Sequence, residues 1–174
     1  MKKINILIFI MLIFAFILTG CSGSKASGVT EGVKVNKEDL KIGFVHYSDP
    51  SDQGYTYTHD SSTWKMAAAL GIDKSQIINK YNVPDTAEAA TAFRELAEDG
   101  CQIIFSTSHG HEDYLLEVAF EYPNVVFCHF SGVKAASSGL SNVHNYFGDI
   151  AQVRYLSGVV AGLTTKTNKI GYVC

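Results

Sequence analysis

From Leu40 onward, short apolar runs alternate with stretches of helical periodicity, and this alternation restricts the fold more than any other feature. Residues 41–47 (KIGFVHY), 77–81, 102–105, 125–130 and 169–173 (KIGYV) predict strands. Between them, residues 59–70 carry Trp64, Ala67 and Ala68 at helical spacing, with Gly71 just beyond. Asp85 and Glu88 predict a capping-box-like helix start, with the Asp85 carboxylate accepting the Glu88 amide. Ala89, Ala92, Phe93 and Leu96 then form one apolar stripe that ends at Gly100. Residues 112–121 predict a helix that stops before Pro123, and residues 149–163 a longer one. In that last helix Gly158, Ala161 and Gly162 predict a face that packs closely against another backbone. Alternation of this kind implies a mostly parallel sheet covered by helices on both faces, a three-layer α/β sandwich.

In such a sheet, ligands collect at the carboxyl ends of strands, beside helix N-termini. Two loops at those ends are rich in polar and aromatic groups. The first runs Asp52-Gln53-Gly54-Tyr55-Thr56-Tyr57-Thr58-His59-Asp60. Flat rings stack on a planar ligand while hydroxyls and carboxylates bond its polar edge. On composition alone, Tyr55 and Tyr57 serve equally well as covers for the sheet end, and Thr58 or Asp60 as helix caps. The second loop runs from Ser106 through Ser108, His109, Gly110 and His111 to Asp113. Ser108 and Asp113 can bond a ligand or cap the helix that follows.

The N-terminus carries a different signal. Lys2 and Lys3 precede an apolar run over residues 6–18. At about 13 residues it is too short to cross a bilayer, which takes about 20, and matches a signal-peptide core. Leu18-Thr19-Gly20-Cys21 then resembles a bacterial lipobox, with Cys21 the residue that takes the lipid. Residues 1–20 are read as the signal peptide, and residues 21–40, small, polar and charged, as a tether between membrane and folded part.

A formal net charge of −3 argues against a nucleic-acid partner. Besides Cys21, the cysteines are Cys101, Cys128 and Cys174. On neighbouring parallel strands Cys101 and Cys128 are offset by about three residues, roughly 10 Å. A disulfide spans Cα separations only to about 7 Å, so no disulfide is expected. No nucleophile–base pair, phosphate loop or dinucleotide glycine fingerprint is evident, so neither an enzyme nor a cofactor is expected.

Three segments together resemble the basic membrane protein family, the PnrA-like purine-nucleoside-binding lipoproteins of ABC importers. They are the stretch from Asp52 to Asp60, the stretch from Thr107 to Asp113, and a long C-terminal block. That block joins Tyr146-Phe147-Gly148 to Arg154-Tyr155-Leu156-Ser157-Gly158-Val159-Val160-Ala161-Gly162 and then Lys166-Thr167-Asn168-Lys169-Ile170-Gly171-Tyr172-Val173. The resemblance implies the first lobe of a type I periplasmic-binding-protein-like fold over residues 41–165. Residues 166–174 would open a second lobe that the chain does not complete. It implies an extracytoplasmic receptor, lipid-anchored to the cell membrane, that binds purine nucleosides and works with ABC permease and ATPase subunits.

The resemblance also places the candidate ligand residues at Asp52, Gln53, Tyr55, Tyr57, Ser108, His109 and Asp113. Tyr55 would face the base where the family has Trp, Tyr57 would be a second wall, and Asp52 a hydrogen-bond partner. His109 and His111 replace the family's Phe and Tyr, which bears on base specificity. Two other classes fit part of the pattern. His46, His59, His109 and His111 at strand ends fit a metal-binding uptake receptor. His109, His111 and Asp113 resemble the metal motif of metallo-β-lactamase-fold hydrolases, although Tyr114 stands where another His would follow.

Overall fold

The computed structural model describes residues 34–172, so the signal-peptide and Cys21 readings lie outside the described residues. Among the described residues are five strands: β1 (Ile42–Val45), β2 (Ile77–Lys80), β3 (Ile103–Ser106), β4 (Val126–Phe130) and β5 (Val143–Tyr146). They form one parallel sheet in the order β2-β1-β3-β4-β5. Ile42 pairs with Ile77 on one side and Ile103 on the other, and Phe105 pairs with Cys128. Parallel neighbours require long crossovers, and helices supply most of them. These helices are α1 (Tyr55–Leu70), α2 (Ala87–Glu98), α3 (Glu112–Glu121), the single turn α4 (Ala135–Ser138), and α5 (Ile150–Thr164).

Two apolar layers sandwich the sheet. On one face α2 and α3 bury Phe93, Leu96, Leu115 and Val118 against Val45, Ile104 and Phe127. On the other, Ala67 of α1 packs with Ile42, Phe44, Ile72 and Ile77, and Trp64 flanks them. All four residues of β1 are buried, as befits a strand with neighbours on both edges and helices on both faces. Gly43 is required there. A β-carbon on it would stand 2.9 Å from Leu96 Cδ1, so the missing side chain lets α2 close on the sheet. Removing the Leu96 side chain from this contact would cost on the order of 2–5 kcal/mol.

Several local expectations are corrected. α1 begins at Tyr55 rather than His59, because the Asp52 carboxylate accepts the amides of Gly54, Thr56 and Tyr57 and starts the helix early. α2 is capped by Thr86, whose hydroxyl accepts the Glu88 amide; Asp85 instead turns toward Ser108. β5 and α4 are additional to the elements expected from the sequence. Residues 169–172 belong to no strand, and Ile170 and Tyr172 are exposed. α5 has no buried residue, and β-carbons on Gly158 or Gly162 would meet nothing within 4 Å, so the expected close packing is absent among the described residues. Cys101 and Cys128 are free thiols.

Candidate functional site

Parallel strands align their carboxyl ends, and four of these ends carry the polar and aromatic groups of the site. At the end of β1, His46 is fully buried. Its Nδ1 lies 3.3 Å from Thr107 Oγ1, its Nε2 3.0 Å from Asn79 Oδ1, and its ring stacks on Tyr81. Burial pushes the His46 imidazole below its ordinary pKa, so it sits neutral and occupied on both nitrogens. Past the end of β3, the Thr107 carbonyl accepts the Tyr55 hydroxyl, which joins α1 to the sheet.

Around Tyr55 the rings gather. His59 lies 4.6 Å from Tyr55 and 4.9 Å from Phe130, which ends β4. Phe130 is in turn 5.3 Å from Tyr146, which ends β5, and 5.0 Å from Phe147. The edge-to-face contacts among Tyr55, His59, Phe130 and Tyr146 hold those rings in fixed orientation. Tyr55 remains 49% exposed and Phe147 62%, so the patch is assembled and yet open. Partial burial pushes the Tyr55 hydroxyl up to about 12 and keeps it a donor. Burial, then the field of His46, holds His59 below its ordinary value.

Of the residues singled out from sequence, Tyr55 stands in this patch. Asp52 spends its carboxylate on the α1 cap, and the backbone amide of Gly54, then that of Tyr57, holds it down to about 2. Gln53 takes a left-handed backbone conformation, φ 46°, beside it. Tyr57 is exposed on the first turn of α1. Ser108 donates to Asp85 Oδ1 at 2.7 Å. His109 Nδ1 lies 3.2 Å from the Ser131 carbonyl, and Asp113 pairs with Lys134 on the surface. The structure therefore does not bring the seven together. His59, Phe130, Tyr146 and Phe147 complete the patch. Phe130 shares the less buried face of β4 with Val126 and Cys128, a period-two signal readable in the sequence but silent about its neighbours.

His109, His111 and Asp113 do not converge. His111 is fully buried against the Val83 carbonyl, while the other two are exposed. Among the described residues no group of three or more His, Cys, Asp or Glu is placed to hold a metal ion. Ser106, His111 and Asp85 do form a hydroxyl–imidazole–carboxylate row, at 3.2 and 3.3 Å. Ser106 and His111 have no exposed surface, so no substrate reaches that hydroxyl and the row satisfies buried polar groups.

A parallel sheet of this order, covered by helices and edged with rings at its carboxyl ends, defines the class: an α/β lobe. The chain belongs to the PnrA-like family of ABC transporter substrate-binding proteins, whose profile matches residues 39–174. It is 35% identical over 137 residues to a purine-binding protein of Brucella abortus, covering 79% of this chain and 38% of that one. It is 29% identical over 146 residues to a Haloferax volcanii protein provisionally named as an ABC transporter glucose-binding protein, covering 84% and 34%. The chain thus spans less than two-fifths of the length of these relatives. An ABC transporter solute-binding protein from Conexibacter woesei shares the fold, with a TM-score of 0.59 at 22% identity over 71% of this chain and 40% of that one.

Proposed function

We propose that this chain is the front lobe of an extracytoplasmic receptor that captures purine nucleosides for an ABC importer. The single observation that carries the reading is the open patch of Tyr55, His59, Phe130, Tyr146 and Phe147 at the carboxyl edge of the sheet. A purine offers a broad flat face, and stacking on a ring contributes about 1–3 kcal/mol per base. The purine-binding relative of Brucella abortus supports the same ligand class. In this reading Asp52 and Gln53 shape the α1 end, while Tyr57, Ser108, His109 and Asp113 line the rim around the stacked base. Cys21 carries the lipid that tethers the receptor to the outer face of the membrane. Permease and ATPase subunits receive the ligand, and a second lobe closes over it.

The test is calorimetric titration of the chain, alone and fused to the remaining length of the Brucella abortus relative. Adenosine, guanosine, inosine, glucose and zinc are compared. Saturable purine-nucleoside binding is expected, and Phe130→Ala should weaken it by about tenfold through lost stacking. Saturation by glucose or zinc without any nucleoside would overturn the reading.

A further inference from the structure

Glu112 opens α3 with a carboxylate that is almost wholly buried. Its Oε1 collects three donors: the amides of Val133 at 2.7 Å and Lys134 at 2.8 Å, and the side-chain amide of Asn145 at 3.2 Å. Asn145 in turn accepts the Ala135 amide at 2.8 Å. One carboxylate thereby joins the start of α3, the turn after β4, and the strand β5. Tyr146 and Phe147, which follow Asn145 directly, form the far side of the ring patch.

Beside this junction His129 is fully buried. Its Nε2 lies 2.9 Å from the Ser108 carbonyl, a partner that only an N–H can satisfy. The neutral ring therefore carries its proton on Nε2 and leaves a lone pair on Nδ1. Among the described residues, Nδ1 is the buried side-chain polar atom left without a hydrogen-bond partner. Gly132 shows how tightly the groups converge. A β-carbon there would stand 2.3 Å from His129 Nδ1, 2.3 Å from Asn145 Nδ2 and 2.4 Å from Glu112 Oε1. The imidazole nitrogen and the carboxylate oxygen are thus less than twice that distance apart. A buried lone pair beside a buried carboxylate is an arrangement that one proton relieves.

We infer that Glu112 and His129 form a proton-responsive joint that sets the position of Tyr146 and Phe147 in the ligand site, an inference that rests on the site reading above. With His129 neutral, Glu112 holds Val133, Lys134 and Asn145 together and the far side of the patch stays in place. A proton on Nδ1 creates a charged donor that competes for the same carboxylate, and charge-assisted hydrogen bonds are the stronger kind. The Asn145 contact, the longest of the three, yields first. Glu112 touches no ligand in this scheme and is a positioning residue. Burial opposes the charge on His129, Glu112 favours it, and His111 and His109, the other titratable groups facing the ring, oppose it. Lys134 faces Glu112 from the turn before α4 and is paired with Asp113. This balance keeps the joint closed at neutral pH and lets it open as the pH falls.

The test begins without ligand. Heteronuclear NMR follows the isotope-labelled chain from about pH 7.5 to about pH 5, the range in which imidazoles titrate. The Val133 and Lys134 amides and the Asn145 side-chain amide should shift with the midpoint of the His129 ring. His129→Gln, which keeps a donor for the Ser108 carbonyl, should abolish that transition. Amides that stay still while His129 titrates, or a ring that stays neutral until the chain unfolds, would overturn the joint. Should His129→Gln fail to fold, the wild-type titration decides alone. Nucleoside affinity over the same range should then fall by about tenfold, one unit of differential proton affinity. A chain that binds no nucleoside at any pH, yet whose amides track His129, supports the joint and overturns the purine reading instead.

Discussion

The Asp85 carboxylate lies so close to Gly110 that a β-carbon on the glycine would stand 2.3 Å from Asp85 Cγ. The contact locks the turn before α2 to the turn before α3, because the same carboxylate accepts the Ser108 hydroxyl and lies 3.3 Å from His111 Nε2. Gly110→Ala must drive Asp85 away and break that hydrogen bond. The expected loss is about 1–3 kcal/mol, the range for overpacking a close contact. Urea denaturation measures it, and an unchanged midpoint would mean that Asp85 swings aside at no cost.

Tyr55 does two separable things. Its hydroxyl donates to the Thr107 carbonyl, and its ring contributes to the open patch. Tyr55→Phe should cost about 0.5–1.5 kcal/mol of stability, a typical net hydrogen bond, and leave nucleoside affinity nearly unchanged. Tyr55→Ala should weaken affinity by about tenfold to a hundredfold, the worth of one stacked base. Affinities corrected for folded fraction separate the two, and equal values for wild type and Tyr55→Ala would remove the ring from the site.

Burial lowers the pKa of His46, His111 and His129 from the ordinary 6.5. The folded state keeps these rings neutral, whereas the unfolded chain protonates them as pH falls through about 6.5. Below that point the unfolded state binds more protons, so stability declines with acidification until the folded-state values are reached. Above it the three rings contribute no slope. Thermal melts should therefore show a falling midpoint between about pH 7 and about pH 5. A midpoint that rises across that window contradicts the neutral-histidine assignment.

Replacing Cys21 with Ala should abolish acylation and leave the precursor unprocessed. Palmitate labelling of cells expressing each form reads this directly. Label entering the Cys21→Ala protein is the outcome that sinks the anchor.

The strand–helix alternation was legible because β1, β2 and α3 announce themselves through apolar runs and punctuation at Gly71, Gly100 and Pro123. β5 was not, since its sequence VHNY has one exposed face and polar residues that resemble a loop. The start of α1 is obscured in the sequence because its cap comes from Asp52, three residues before the helix, while Thr58 offers a later cap. The role of Asp85 is hidden for a related reason: its partner, Ser108, lies 23 residues away and no local pattern reveals it. In the candidate site, the placement of Tyr55 at the carboxyl edge followed from the strand before it. Its ring neighbours did not, because Phe130 and Tyr146 meet only once β4 and β5 are known to be adjacent.

The strand order has a consequence for how this chain comes to be folded. β1 is the first of the described strands to be synthesised, yet its two partners are β2, which ends at Lys80, and β3, which ends at Ser106. A nascent chain therefore carries its most buried strand without its second neighbour until residue 106 has been made. The entropy of closing those loops is spent before the contacts that offset it are available, which slows commitment to the native state. Late closure around β1 defers the ordering step until the strands on both of its edges have been made.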